Sequence, residues 1–64
     1  MTEIERRALW RLRTRWLGVY AVTLANDVWR ARQYGNATVL LTADTADELA
    51  GLIEADYAKV VLSS

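Results

Sequence analysis

The sequence predicts an α+β fold: a two-layer α-β-β-β-α arrangement with a three-stranded antiparallel meander and both helices on one face. Three observations predict it. Apolar residues recur at helical spacing near both ends of the 64-residue chain, they alternate with a period of two between those ends, and the connections are short and carry turn residues. An amphipathic helix must bury its stripe somewhere, and packing both helices on one sheet face is the economical solution. The second sheet face is then open to solvent or to a partner.

The first helix is expected over about Glu3 to Leu17. At 100° per residue Ile4, Ala8, Leu9, Leu12 and Trp16 share one arc, while Arg6, Arg7, Arg11 and Arg13 fall mostly outside it. Thr2 and Glu5 have the spacing of a capping box, Glu3 and Glu5 suit the positive end of the helix dipole, and Gly18 supplies the stop. Glu5 and Arg15 border the apolar arc, so their stems should lie along its edge.

From Val19 the period changes to two, and Tyr20, Val22 and Leu24 mark the apolar face of a first strand over about 19–25. Asn26-Asp27 fits a two-residue turn, since both residue types tolerate the positive φ that a type I′ hairpin demands. A second strand over about 28–34 places Trp29 and Ala31 on one face and Val28, Arg30, Arg32 and Tyr34 on the other. Gly35-Asn36 turns the chain again. A third strand over about 37–43 is rich in Thr, Val and Leu, with Val39 and Leu41 the better candidates for the inward face and Leu40 on the open one.

A second helix is announced by Asp44-Thr45-Ala46-Asp47-Glu48, where Thr45 and Glu48 form another capping-box pair and three acids crowd the dipole's positive end. It is expected over about 45–60, with Leu49, Leu52, Ile53, Tyr57 and Val60 on one arc and Asp56 the one charge inside it. Val60-Val61-Leu62 reads equally as a last turn, a frayed tail or an apolar strip docked on a neighbour. No repeat, linker or low-complexity stretch divides the chain, so residues 1–64 are expected to be a single domain.

Composition limits the chemistry. The chain has no His and no Cys, which removes the usual ligands of zinc, copper, haem and iron–sulfur centres together with thiol redox chemistry. Without disulfides a small domain fits a reducing, cytoplasmic compartment. No apolar run approaches the ~18 residues of a membrane span, and the charged residues before Leu12 do not suit a signal peptide. The only serines are Ser63 and Ser64 at the C-terminal end, so nucleophilic triads and imidazole acid–base catalysis are absent. Asp44, Asp47 and Glu48 are explained by capping, their spacing reproduces no calcium loop, and the glycines are dispersed rather than gathered in a phosphate loop. The expectation is a non-enzyme with no metal and no cofactor.

Two groups of residues invite a binding role. Trp10 points away from the apolar arc into a surface with Arg6, Arg7 and Arg13, either as intrahelical stacking of guanidinium on indole or as an interaction surface. Arg30, Arg32, Tyr34 and Leu40 occupy the open sheet face. Charge is unevenly placed: residues 1–32 carry seven Arg against Glu3, Glu5 and Asp27, a net of +4, and residues 33–64 carry Lys59 against five acids, a net of −4. The basic half and the acidic half either neutralise each other within the fold or face another copy. Nucleic acid is a possible but disfavoured partner, because the sequence pI of about 6.1 is far from a basic footprint.

The order α-β-β-β-α resembles the double-stranded-RNA-binding domain in topology. That resemblance implies the fold, and the residues depart from the family's phosphate-binding pattern: a lysine-rich start to the second helix is replaced by Asp44-Thr45-Ala46-Asp47-Glu48, and a long first loop by Asn26-Asp27. The strand Trp29-Arg30-Ala31-Arg32, followed by Leu41-Thr42-Ala43-Asp44 and Glu48-Leu49, is similar to short uncharacterised actinobacterial proteins. That likeness spans residues 28 to about 57 and implies no reaction. The expected function is a small protein-interaction module that self-associates as a homodimer, through the first helix around Trp10 and Arg13 or through the sheet face around Arg30, Arg32, Tyr34 and Leu40. The alternative is a nucleic-acid-binding accessory or regulatory protein gripping phosphates through its arginines.

Overall fold

The computed structural model describes residues 2–36 and 38–63, and its elements run α1 (Glu3–Arg15), β1 (Tyr20–Ala25), β2 (Val28–Gln33), β3 (Leu40–Ala43) and α2 (Ala46–Ser63). The sheet has the order β1-β2-β3 and both neighbouring pairs are antiparallel. This is the α+β, α-β-β-β-α architecture with a three-stranded meander. α1 packs on β1, α2 packs on β2 and β3, and the two helices touch.

α1 begins as its sequence implies. The Glu5 N–H donates to Thr2 Oγ1 at 3.1 Å and the Thr2 N–H donates to Glu5 Oε1 at 2.9 Å, which closes the capping box. Hydrogen bonding to Thr2, its backbone N–H first and its hydroxyl second, holds the Glu5 carboxyl below its ordinary pKa. The helix ends at Arg15, two residues earlier than the periodicity suggests, with Trp16 as its C-cap and Gly18 in the turn at φ 82°. Gly18 therefore shapes the turn into β1 rather than capping the helix itself. Asn26 and Asp27 take φ values of 52° and 61°, both positive as a type I′ turn requires.

The register pairs Val22 with Ala31, Leu24 with Trp29 and Ala31 with Leu41, so these side chains share the face beneath the helices. There Tyr20, Val22, Trp29, Ala31 and Ala43 meet Leu9, Leu12 and Trp16 of the α1 end and Leu49 and Ile53 of α2. Not every residue of the apolar arcs reaches this core. Ile4, expected inside, is exposed, because it sits a turn before the first core contact of α1. Tyr57 and Val60 are more than a third exposed, because α2 continues past the sheet after Ile53, and Leu52 is so because it lies on the flank of α2 turned away from α1.

β3 is shorter than expected. It starts at Leu40, with Val39 half-buried just before it, and the expected start at Ala37 lies outside the described residues. β2 ends at Gln33, leaving Tyr34 in the turn. α2 starts where Thr45 Oγ1 accepts from the Glu48 N–H at 3.1 Å, and it runs to Ser63 instead of stopping near residue 60. Val60-Val61-Leu62 is thus helical. No helix among the described residues is long and apolar enough to cross a membrane.

Candidate interaction surfaces

The residues singled out by sequence do not form one site. They divide between the outer face of α1 and the open face of the sheet, which lie on opposite sides of the molecule because both helices cover the other sheet face.

On α1, Leu9, Leu12 and Trp16 commit one side of the helix to the core, and Trp10 is turned away from it with 72% of its surface exposed. Arg6 and Arg7 one turn before it, Thr14 one turn after it and the adjacent Arg11 surround it along a shallow open groove. Arg7 is steadied by Glu3, Nε to Oε1 at 3.3 Å, an exposed i,i+4 pair. Arg13 does not join this surface. Its Nε donates to the Val22 carbonyl oxygen at 2.9 Å, so the guanidinium is drawn down to the edge of the sheet. The guanidinium-on-indole contact also falls elsewhere: Arg15 lies 5.3 Å above the Trp16 ring, and no such contact to Trp10 occurs among the described residues. Of the two readings of Trp10, intrahelical stacking has no contact to support it among the described residues, and the indole is open.

On the open sheet face Arg30 stands between Thr23 and Thr42, and Arg32 between Ala21 and Leu40. Tyr34 and Leu40 are both exposed. This brings Arg32 and Leu40 side by side and leaves Tyr34 beyond the end of β2.

The two helices lie side by side with their starts at the same end. Ile4 and Ala8 share a groove with Thr45 and Ala46, while at the far end Arg15 Nη2 stands 3.5 Å from Glu54 Oε1 and the Trp16 and Tyr57 rings meet edge-on at 5.3 Å. Part of the basic half is thereby balanced against the acidic half inside one copy, at an exposed pair of modest worth.

Sequence reasoning missed an aromatic junction under this seam. Trp16 also meets the Tyr20 ring edge-on at 5.6 Å, and the Tyr20 hydroxyl donates to Asp56 Oδ2. Burial, then the hydrogen bond to Asp56 and its charge, push the Tyr20 phenol well above its ordinary pKa. The signal was present in Asp56, the lone charge on the apolar arc of α2. Trp16 Nε1 is buried with no hydrogen-bond partner among the described residues.

No group of three or more acidic residues that could hold a metal ion occurs among the described residues. Comparison of the chain with protein families, with curated proteins and with solved structures returned no match.

Proposed function

We propose that this chain is a small, non-catalytic, cytoplasmic protein-interaction module that self-associates and presents the outer face of α1 to a partner. The observation that carries the reading is Trp10, 72% exposed and bordered by Arg6, Arg7 and Arg11. A large aromatic left in water is costly, and Trp with Arg is the pair of residue types most enriched at the energetic centres of protein interfaces. Shortness argues for self-association: a chain of this length buries only about 60% of the surface its unfolded form exposes, so contact with another copy adds burial its own core lacks.

The nucleic-acid alternative draws on Arg30 and Arg32 on the open sheet face, with the exposed Tyr34 in the turn beyond β2. Against it, the arginines of α1 and of β2 lie on opposite sides of the molecule, so one phosphate track cannot engage both. Affinity capture from native lysate, with and without nuclease, separates the readings. The expected result is protein retained by the parent chain, lost with Trp10→Ala and indifferent to nuclease. Capture abolished by nuclease moves the function to nucleic acid, and equal protein capture by Trp10→Ala removes α1 as the working face.

A further inference from the structure

The two edges of the sheet are unlike. In a two-residue hairpin the residues flanking the turn, Ala25 and Val28, bond to each other, and bonding alternates from there. The Tyr34 N–H donating to the Val19 carbonyl at 3.0 Å keeps that phase. The backbone groups of Tyr20, Val22 and Leu24 therefore point out from β1, where the Trp16 carbonyl takes the Tyr20 N–H at 3.0 Å and Arg13 takes the Val22 carbonyl at 2.9 Å. On the other side, the Gln33 N–H donating to the Val39 carbonyl sets the phase of β2 with β3. The outward groups of β3 are those of Leu40 and Thr42, and among the described residues nothing pairs with them.

Above that unguarded edge runs one flank of α2. The opposite flank, with Ala50, Glu54 and Tyr57, faces α1. At 100° per residue the flank beyond β3 carries Glu48, Leu52, Ala55 and Lys59, all exposed, and Glu48 shares a cleft with Thr42. Their spacing reads the same in both directions, and the order acid, Leu, Ala, base is complementary to its own reverse. An antiparallel copy of the same flank sets Glu48 against Lys59 at both ends and Leu52 against Ala55 twice in the middle, which is the self-complementarity a two-fold interface requires.

We propose that two copies join edge to edge, β3 to β3, about a two-fold axis perpendicular to the sheet, giving a six-stranded sheet with the two α2 helices packed antiparallel above the join. Spacing agrees. α2 packs on both β2 and β3, so its axis lies about half a strand spacing inside β3. With strands ~4.8 Å apart, the two α2 axes then stand about 10 Å from each other, the distance at which helices pack. Leu40 of one copy pairs with Thr42 of the other in both directions, and the backbone bonds so formed satisfy the open groups. β1 cannot serve in the same way, because Arg13 already occupies its edge. The proposal rests on self-association, names the surface for it, and leaves Trp10 and its arginines free on the outside of the pair.

Sedimentation equilibrium of the intact chain and four variants tests it. The parent is expected at twice the chain mass of 7.3 kDa. Thr42→Pro removes an N–H that bonds nothing within one copy, on an edge strand where proline is tolerated, and should give monomer with an unchanged far-ultraviolet spectrum. Lys59→Glu sets acid against acid twice and should raise the dissociation constant about tenfold, with Glu48→Lys on that background restoring it. Trp10→Ala should leave the dimer intact. A dimer indifferent to Lys59→Glu, or one dissolved by Trp10→Ala, overturns the β3 and α2 interface while self-association stands. A parent chain that stays monomeric overturns both.

Discussion

Tyr20 shows how one side chain ties the two layers together. Its ring lies in the core at 2% exposure and its hydroxyl reaches Asp56 on α2. Since the folded state holds the phenolic proton more tightly than the ordinary value of 10.0, the stability this group contributes is complete below about pH 10 and is lost as pH rises above it. Urea unfolding of Tyr20→Phe should show a loss of about 1–3 kcal/mol at neutral pH, the worth of a hydrogen bond to a charged group. The gap between variant and parent should narrow in strongly alkaline buffer; a gap independent of pH would refute the assignment. Half of this pair is readable in the sequence, because Asp56 breaks an apolar arc. Its partner is not, since Tyr20 is indistinguishable from any inward strand residue until the turn around Gly18 lays β1 under α1 and lets the Tyr20 hydroxyl reach across to α2.

Among the elements, the edge strands carry the sharper lesson. Helical angle alone groups Arg13 with Trp10, and helical angle does not say where a long side chain ends; its aliphatic stem lets the head group reach the Val22 carbonyl. Arg13→Ala should uncover a strand edge and cost about 1–2 kcal/mol in chemical unfolding. It should also raise aggregation on heating, read by light scattering, because an unguarded edge is a template for another strand. An Arg13→Ala protein as stable and as soluble as the parent would show the contact to be incidental. By contrast the Asn26-Asp27 hairpin and both helix starts were legible, because each is decided by residues within one turn of chain. The start of β3 and the end of α2 were not: strand length is fixed by the partner strand, and α2 outruns the sheet that justified its apolar arc.

For the whole molecule, the core is small enough that single truncations should separate its parts. Leu49 is fully buried, and Leu49→Ala should cost about 2–5 kcal/mol, a large share of the roughly 3–10 kcal/mol expected for a domain of this size. Trp10→Ala, which touches only the outer face of α1, should change unfolding free energy by less than about 0.5 kcal/mol. Equal losses in the two variants would mean that the indole packs within the fold after all. The α+β class, the meander and the shared helix face followed from periodicity and short connections. How the charge of each half is used did not, because it depends on the helices lying parallel, which sets Arg15 beside Glu54 and leaves Arg6 and Arg11 outside. The three tryptophans record this division in optical form. Trp29 and Trp16 are 3% and 7% exposed and Trp10 is 72% exposed, so red-edge emission and acrylamide quenching belong almost wholly to Trp10. The chain thus carries its own unlabelled reporter, in which occupation of the α1 surface shields one indole while unfolding uncovers the other two.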